Sequence, residues 1–130
     1  MHKHDNARRA IPIPPIRARP GEALALDAGK TFDVSSAVAE ILAQPVRFEH
    51  AEIDLASLSS QIRGRSKLTF HYVAAMTRAN ARRPLLLARQ SDGSLILLDG
   101  RHRAARSLQL GYVQAAAWIL SPDQLSKFSR

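Results

Sequence analysis

The sequence predicts an α+β fold in which a small mixed sheet is flanked by helices, and three stretches carry that expectation. Two apolar runs, Pro84-Leu-Leu-Leu-Ala-Arg89 and Leu95-Ile-Leu-Leu98, flank Gln-Ser-Asp-Gly-Ser and read as a hairpin with good turn chemistry. The second run passes through Asp99-Gly100 into a helix with apolar positions Ala104, Ala105, Leu108 and Leu110 and a stop at Gly111. Gln114-Ala-Ala-Ala-Trp-Ile-Leu120 then forms a last strand. Ser121-Pro122-Asp123-Gln124 supplies cap, first-turn proline and early acid for a short C-terminal helix ending near Phe128.

The earlier elements are read in order. Residues 1–21 are Pro-rich and basic; Pro12, Pro14 and Pro15 prevent a helix, and an extended, disordered arm is expected over a phosphate-contacting tail. Glu22-Ala-Leu-Ala-Leu-Asp27 and Thr31-Phe-Asp-Val34 form a small hairpin across Ala28-Gly29-Lys30. Ser35 or Ser36 caps a helix from Ala37 to Ala43, which Pro45 ends. Val46-Arg-Phe-Glu-His50 alternates as a strand, Asp54-Leu-Ala-Ser-Leu makes one helical turn, and Gln61 to Lys67 is a basic loop around Gly64. Ser66 then caps a single helix that Pro84 closes. Leu68, Tyr72, Val73, Met76 and Ala79 lie on one of its faces, and His71, Arg78 and Arg82 on another. The chain thus divides into a Pro-rich arm with a small embellishment, 1–44, and a domain, 45–130.

A chain of 130 residues with 45% apolar content supports one modest core. The absence of cysteine excludes a disulfide scaffold, a Cys-based zinc site and thiol catalysis. No apolar run reaches the roughly 18 residues of a membrane span, and no apolar core follows Met1-His-Lys-His-Asp-Asn, so a soluble cytoplasmic protein without membrane partners is expected. The net charge is +8, and residues 63–106 carry all of it, with ten Lys and Arg against Asp92 and Asp99. A basic block of that kind suits a polyanionic partner, or else is a solubilising surface.

The functional expectation centres on the turn between strand and helix. A helix start leaves backbone N–H groups without intrahelical partners at the positive end of the helix dipole. Gly100 has no side chain to block close approach, and Arg101 and Arg103 add cationic forks in the first turn, which together suit a phosphate. The plainer alternative makes Asp99 an N-cap, Gly100 a tight-turn residue and the arginines solvated.

With this order of elements, Ser91-Asp-Gly-Ser-Leu-Ile-Leu-Leu-Asp-Gly-Arg-His-Arg-Ala-Ala-Arg-Ser-Leu-Gln-Leu-Gly111 resembles the ParB/sulfiredoxin superfamily, closely over 84–120 and loosely over 46–83. The resemblance implies a ParB/sulfiredoxin-like fold, a bacterial setting, and nucleotide phosphates bound by Gly100, Arg101, His102 and Arg103, with CTP or ATP and Mg2+ as candidate ligands. The chain departs from the family's patterns in three ways. Arg101 stands where sulfiredoxin has its catalytic Cys, which excludes sulfinic-acid reduction. Arg101 and Ala105 replace residues of the partition-protein motif, which puts CTP hydrolysis in doubt. No helix-turn-helix follows within this sequence, so a complete partition protein is not expected.

The expected function is therefore binding of nucleotide or nucleic-acid phosphate at 99–103, in a DNA- or plasmid-associated role. Arg63, Arg65 and Lys67 flank the site, and Arg78 and Arg82 face nucleic acid. The alternative is a ParB-like nuclease or small-molecule kinase with Asp99 and His102 as catalytic groups, joined by Glu49 or Glu52 if the first strand lies alongside. No metal site is expected, and a homodimer stays open.

Overall fold

The computed structural model describes residues 14–63 and 70–130, and over them the chain is a mixed α+β fold. Strand β1 (Ala23–Ala25) pairs antiparallel with β2 (Thr31–Asp33) across a tight turn at Asp27–Gly29, as the hairpin signal predicts. Helix α1 (Val34–Ala43) follows directly. It begins three residues earlier than expected because Asp33, not Ser35 or Ser36, is the cap: its Oδ1 accepts from the Ser36 N–H at 3.0 Å.

The second sheet holds β3 (Glu49–Asp54), β4 (Leu85–Arg89), β5 (Leu95–Asp99) and β6 (Gln114–Leu120) in the order β3-β6-β4-β5. The β4–β5 hairpin is antiparallel, β6 runs parallel to β4, and β3 closes the far edge antiparallel to β6. The strand expected at Val46–His50 starts at Glu49 instead, because Pro45–Arg47 winds into a 3-10 turn.

Both faces of the sheet are covered, which explains why β4 is apolar at consecutive positions rather than alternate ones. Leu86, Ala88 and Leu120 point into one core with Ile16, Phe32, Val38, Ile41 and Phe128. Leu85, Leu87, Ala117 and Ile119 point into the other, beneath Leu55, Leu58, Ile62, Val73 and the alanines of α5 (Arg101–Gln109). The N-terminal hairpin and α1 thus build half of the core. Backbone bonds tie them to the C-terminus: Thr31 N–H donates to the Arg130 carbonyl at 2.8 Å and Asp33 N–H to that of Phe128 at 2.8 Å. Helix α6 (Pro122–Lys127) opens with the expected Ser121 cap, doubled into a capping box by Gln124.

The single helix expected between Ser66 and Pro84 is instead two, α3 (Phe70–Ala75) and α4 (Arg78–Ala81), while Ser66 itself lies outside the described residues. Thr77 breaks it. Its hydroxyl accepts from the Asn80 N–H at 3.2 Å, which restarts the helix with a new cap. The Met76 carbonyl freed at the break accepts from Arg106 Nε of α5 at 3.0 Å. The edge of β5 is covered by α2 (Ser59–Arg63), which follows a 3-10 turn at Leu55–Leu58. From it the Gln61 amide donates to the Leu95 carbonyl at 3.0 Å and accepts from the Leu97 N–H at 2.6 Å. A side chain thus takes the place of a neighbouring strand.

Candidate functional site

A cleft of about 870 Å³ opens where β5 passes into α5, with the N-terminal strap as its second wall. The strap is anchored by Ile16, which is fully buried, so the chain from Pro14 onward is packed rather than disordered. It then turns at Arg19-Pro20-Gly21-Glu22, where the Glu22 N–H donates to the Arg19 carbonyl at 3.0 Å and Gly21 takes a positive φ of 75°. In the same turn Glu22 Oε1 accepts from the Arg19 N–H at 3.0 Å. This places Arg17, Arg19 and Glu22 opposite Asp99, His102 and Arg103.

Each residue of the Asp-Gly-Arg-His-Arg motif has a distinct place. Asp99 ends β5, and Gly100, not Asp99, is the N-cap of α5, with φ 111° and no side-chain cap bond. Gly100 is buried, and the space its missing side chain leaves is filled by the chain itself: a Cβ there would lie 2.5 Å from Leu85 Cδ2 and 2.9 Å from Arg103 Nη2. Its smallness therefore serves packing rather than close approach of a ligand. Arg101 turns away from the helix start. Its Nε donates to the Ile62 carbonyl at 2.7 Å and its Nη2 to that of Arg63 at 2.6 Å, at the negative end of α2. His102 packs edge-on to Tyr72 with ring centroids 5.5 Å apart; burial and then the Arg101 charge lower its pKa, which favours the neutral imidazole. Arg103 donates to the Pro84 carbonyl at 3.1 Å and lies 3.6 Å from Asp99, while its Nε is buried without a hydrogen-bond partner.

Two features set the electrostatics. Asp99 is raised to about 6, chiefly by burial; Arg103 pulls it down, and the charge and hydrogen bond of Glu22 push it up. The second feature is a cluster of like charges: Arg83 is lowered by burial, then by Arg17 and Arg103. Its guanidinium also donates to Asn80 Oδ1, a neutral partner. Three guanidiniums from the strap, the α4–β4 link and α5 thus gather around one cleft with a single carboxyl pair to offset them.

The other basic residues named from the sequence do not converge here. Arg78 and Arg82 bracket Tyr112 at the far end of α5: Arg78 Nη1 donates to the Tyr112 hydroxyl at 2.7 Å, and Arg82 stacks 3.9 Å above its ring. A nine-residue helix separates them from Gly100, roughly 13 Å. Arg63 contributes its carbonyl to Arg101, and Arg65 and Lys67 lie outside the described residues. Glu49 and Glu52 sit on β3, the opposite edge of the sheet from β5, and Glu49 makes a bidentate pair with Arg89 at 3.0 and 2.6 Å. The first strand does not lie alongside the motif, so neither acid can serve it.

No protein-family model, curated protein or solved structure matches the chain. Among the described residues no helix is long and apolar enough to cross a membrane, and no group of three or more His, Cys, Asp or Glu is arranged to hold a metal. The residues missing from the sequence reading of the site are Arg17, Arg19, Glu22, Tyr72 and Arg83. Pro20-Gly21 marks a turn in the sequence, but nothing local shows that the strap, Tyr72 or Arg83 meets the motif.

Proposed function

We propose that the chain is a small ParB/sulfiredoxin-like domain that binds nucleotide phosphate in this cleft, in a DNA- or plasmid-associated role. The observation that carries the reading is the Arg17–Arg83–Arg103 cluster, three guanidiniums that line one cleft. Such an arrangement raises its own electrostatic energy until an anion enters, and guanidiniums suit phosphate oxygens in particular. The N-terminus of α5 adds a favourable dipole to the same cleft. A triphosphate brings its own Mg2+, which bonds mainly to phosphate oxygens and water. Nucleic acid is the less favoured ligand at this cleft, because Arg78 and Arg82 are engaged with Tyr112 at the other end of α5.

Calorimetric titration of CTP, ATP and GTP with magnesium tests the reading. Arg83→Ala is the informative variant, because Arg83 donates only to Asn80 among the bonds described, whereas Arg103 also holds the Pro84 backbone. A charge-assisted hydrogen bond contributes roughly 1.5–3 kcal/mol, so Arg83→Ala is expected to weaken the bound nucleotide at least about tenfold. Saturable binding that Arg83→Ala leaves unchanged would overturn the assignment.

A further inference from the structure

The arginine cluster accounts for a phosphate but not for the aromatic corner that lines the same cleft, Tyr72 and His102. Tyr72 lies beside Val73 and one turn before Met76, both buried, yet it stays 58% exposed. The fold thus keeps a large ring at the cleft rather than in the core beneath α3. Its plane stands at 82° to that of His102, with centroids 5.5 Å apart. An edge-on contact of this kind covers at most one face of the Tyr72 ring, so the other is left to the cleft and solvent.

We propose that Tyr72 is a base-stacking subsite, so that the cleft takes a whole nucleotide, its phosphate on the arginines and its base against the Tyr72 ring. The inference rests on the phosphate reading above and adds the ligand's other half. An exposed tyrosine alone is ordinary surface. What distinguishes this one is the company of Arg17, Arg83 and Arg103 in one cleft. Charge complementarity then selects the occupant: a neutral aromatic molecule gains nothing from the guanidiniums and a bare phosphate gains nothing from the ring, whereas a nucleotide carries both halves. The volume of about 870 Å³ is far larger than a phosphate needs and lies in the range of nucleotide-sized sites. A base lying parallel to the Tyr72 ring stands perpendicular to that of His102, the other favourable arrangement of two π-systems.

The test is a titration of the full chain with AMP and with ribose 5-phosphate, which share the phosphate and the pentose and differ by the base. AMP is expected to bind at least about fivefold tighter, the low end for one base–aromatic stack. Its adenine H2 and H8 resonances are expected to move upfield on binding, under the ring current of the tyrosine. Tyr72→Ala is expected to erase the AMP advantage, and Tyr72→Phe, which keeps the ring, to retain it. Equal affinity of the two ligands in the unaltered protein, a comparison that needs no variant to fold, overturns the stacking subsite and leaves the phosphate reading standing. An AMP advantage that survives Tyr72→Ala overturns it as well. Failure of both ligands and of ATP to bind overturns both readings.

Discussion

Gly100→Ala is expected to destabilise the fold by about 2–4 kcal/mol, the largest effect of a Cβ added at any of the described glycines. Two costs combine. A φ of 111° lies outside the range that side-chain-bearing residues adopt readily, at roughly 1–2 kcal/mol. The new Cβ would also stand 2.5 Å from Leu85 Cδ2 and 2.9 Å from Arg103 Nη2. Leu85 is 1% exposed within a close-packed layer and cannot swing aside, and Arg103 is held by the Pro84 carbonyl and Asp99. Overpacking of that kind costs typically 1–3 kcal/mol. Denaturant unfolding measures it directly: a midpoint that moves with an unchanged slope and a loss near this size is the expected result. A loss below about 1 kcal/mol would show that the turn has slack, and that the arginine it positions is not fixed by packing.

The second large effect is pH-dependent. Asp99 is raised to about 6, above its value in an unfolded chain, so the folded state holds that proton more tightly. Folding takes up the proton between the two values, and stability is lost as pH rises from ~4 through ~6 and stays lower above it. Asp99→Asn removes the ionisation while keeping the shape. It is expected to stabilise the protein by on the order of 2 kcal/mol near pH 7.5 and to change little near pH 4, where the aspartate is itself neutral. Thermal melts of both proteins at the two pH values decide the matter. A variant less stable than the parent at neutral pH would mean that the Arg103 ion pair outweighs the burial of the carboxylate. A site that keeps a destabilising acid in place is the pattern expected where binding, rather than stability, fixes the residue.

The sequence was most informative where structure is decided locally. The hairpin flanking Asp92-Gly93, the helix from Arg101 to Gln109, the strand Gln114–Leu120 and the Ser121 cap all follow from turn residues, caps and apolar runs within a few positions of one another. The break at Thr77 was not visible, because a threonine inside an amphipathic pattern does not reveal that its hydroxyl will cap a new helix, nor that Arg106 will take the freed carbonyl. The site divides in the same way. Asp99 to Arg103 could be read from strand, turn and helix chemistry alone. Arg17, Glu22 and Arg83 could not, because they meet Asp99 and Arg103 only once the strap and the α4–β4 link have folded across the sheet. Net charge identified the basic character of residues 63–106 but could not separate the arginines that converge on the cleft from Arg78 and Arg82, which hold Tyr112.

The most direct test of the cleft as the phosphate site is a 1H–15N map of the labelled protein titrated with ATP. Amide shifts at Gly100–Arg103 together with Arg17–Glu22, saturating with a single affinity, are the result predicted. Shifts confined to Arg78, Arg82 and the Tyr112–Gln114 segment, or none at any concentration, would contradict it.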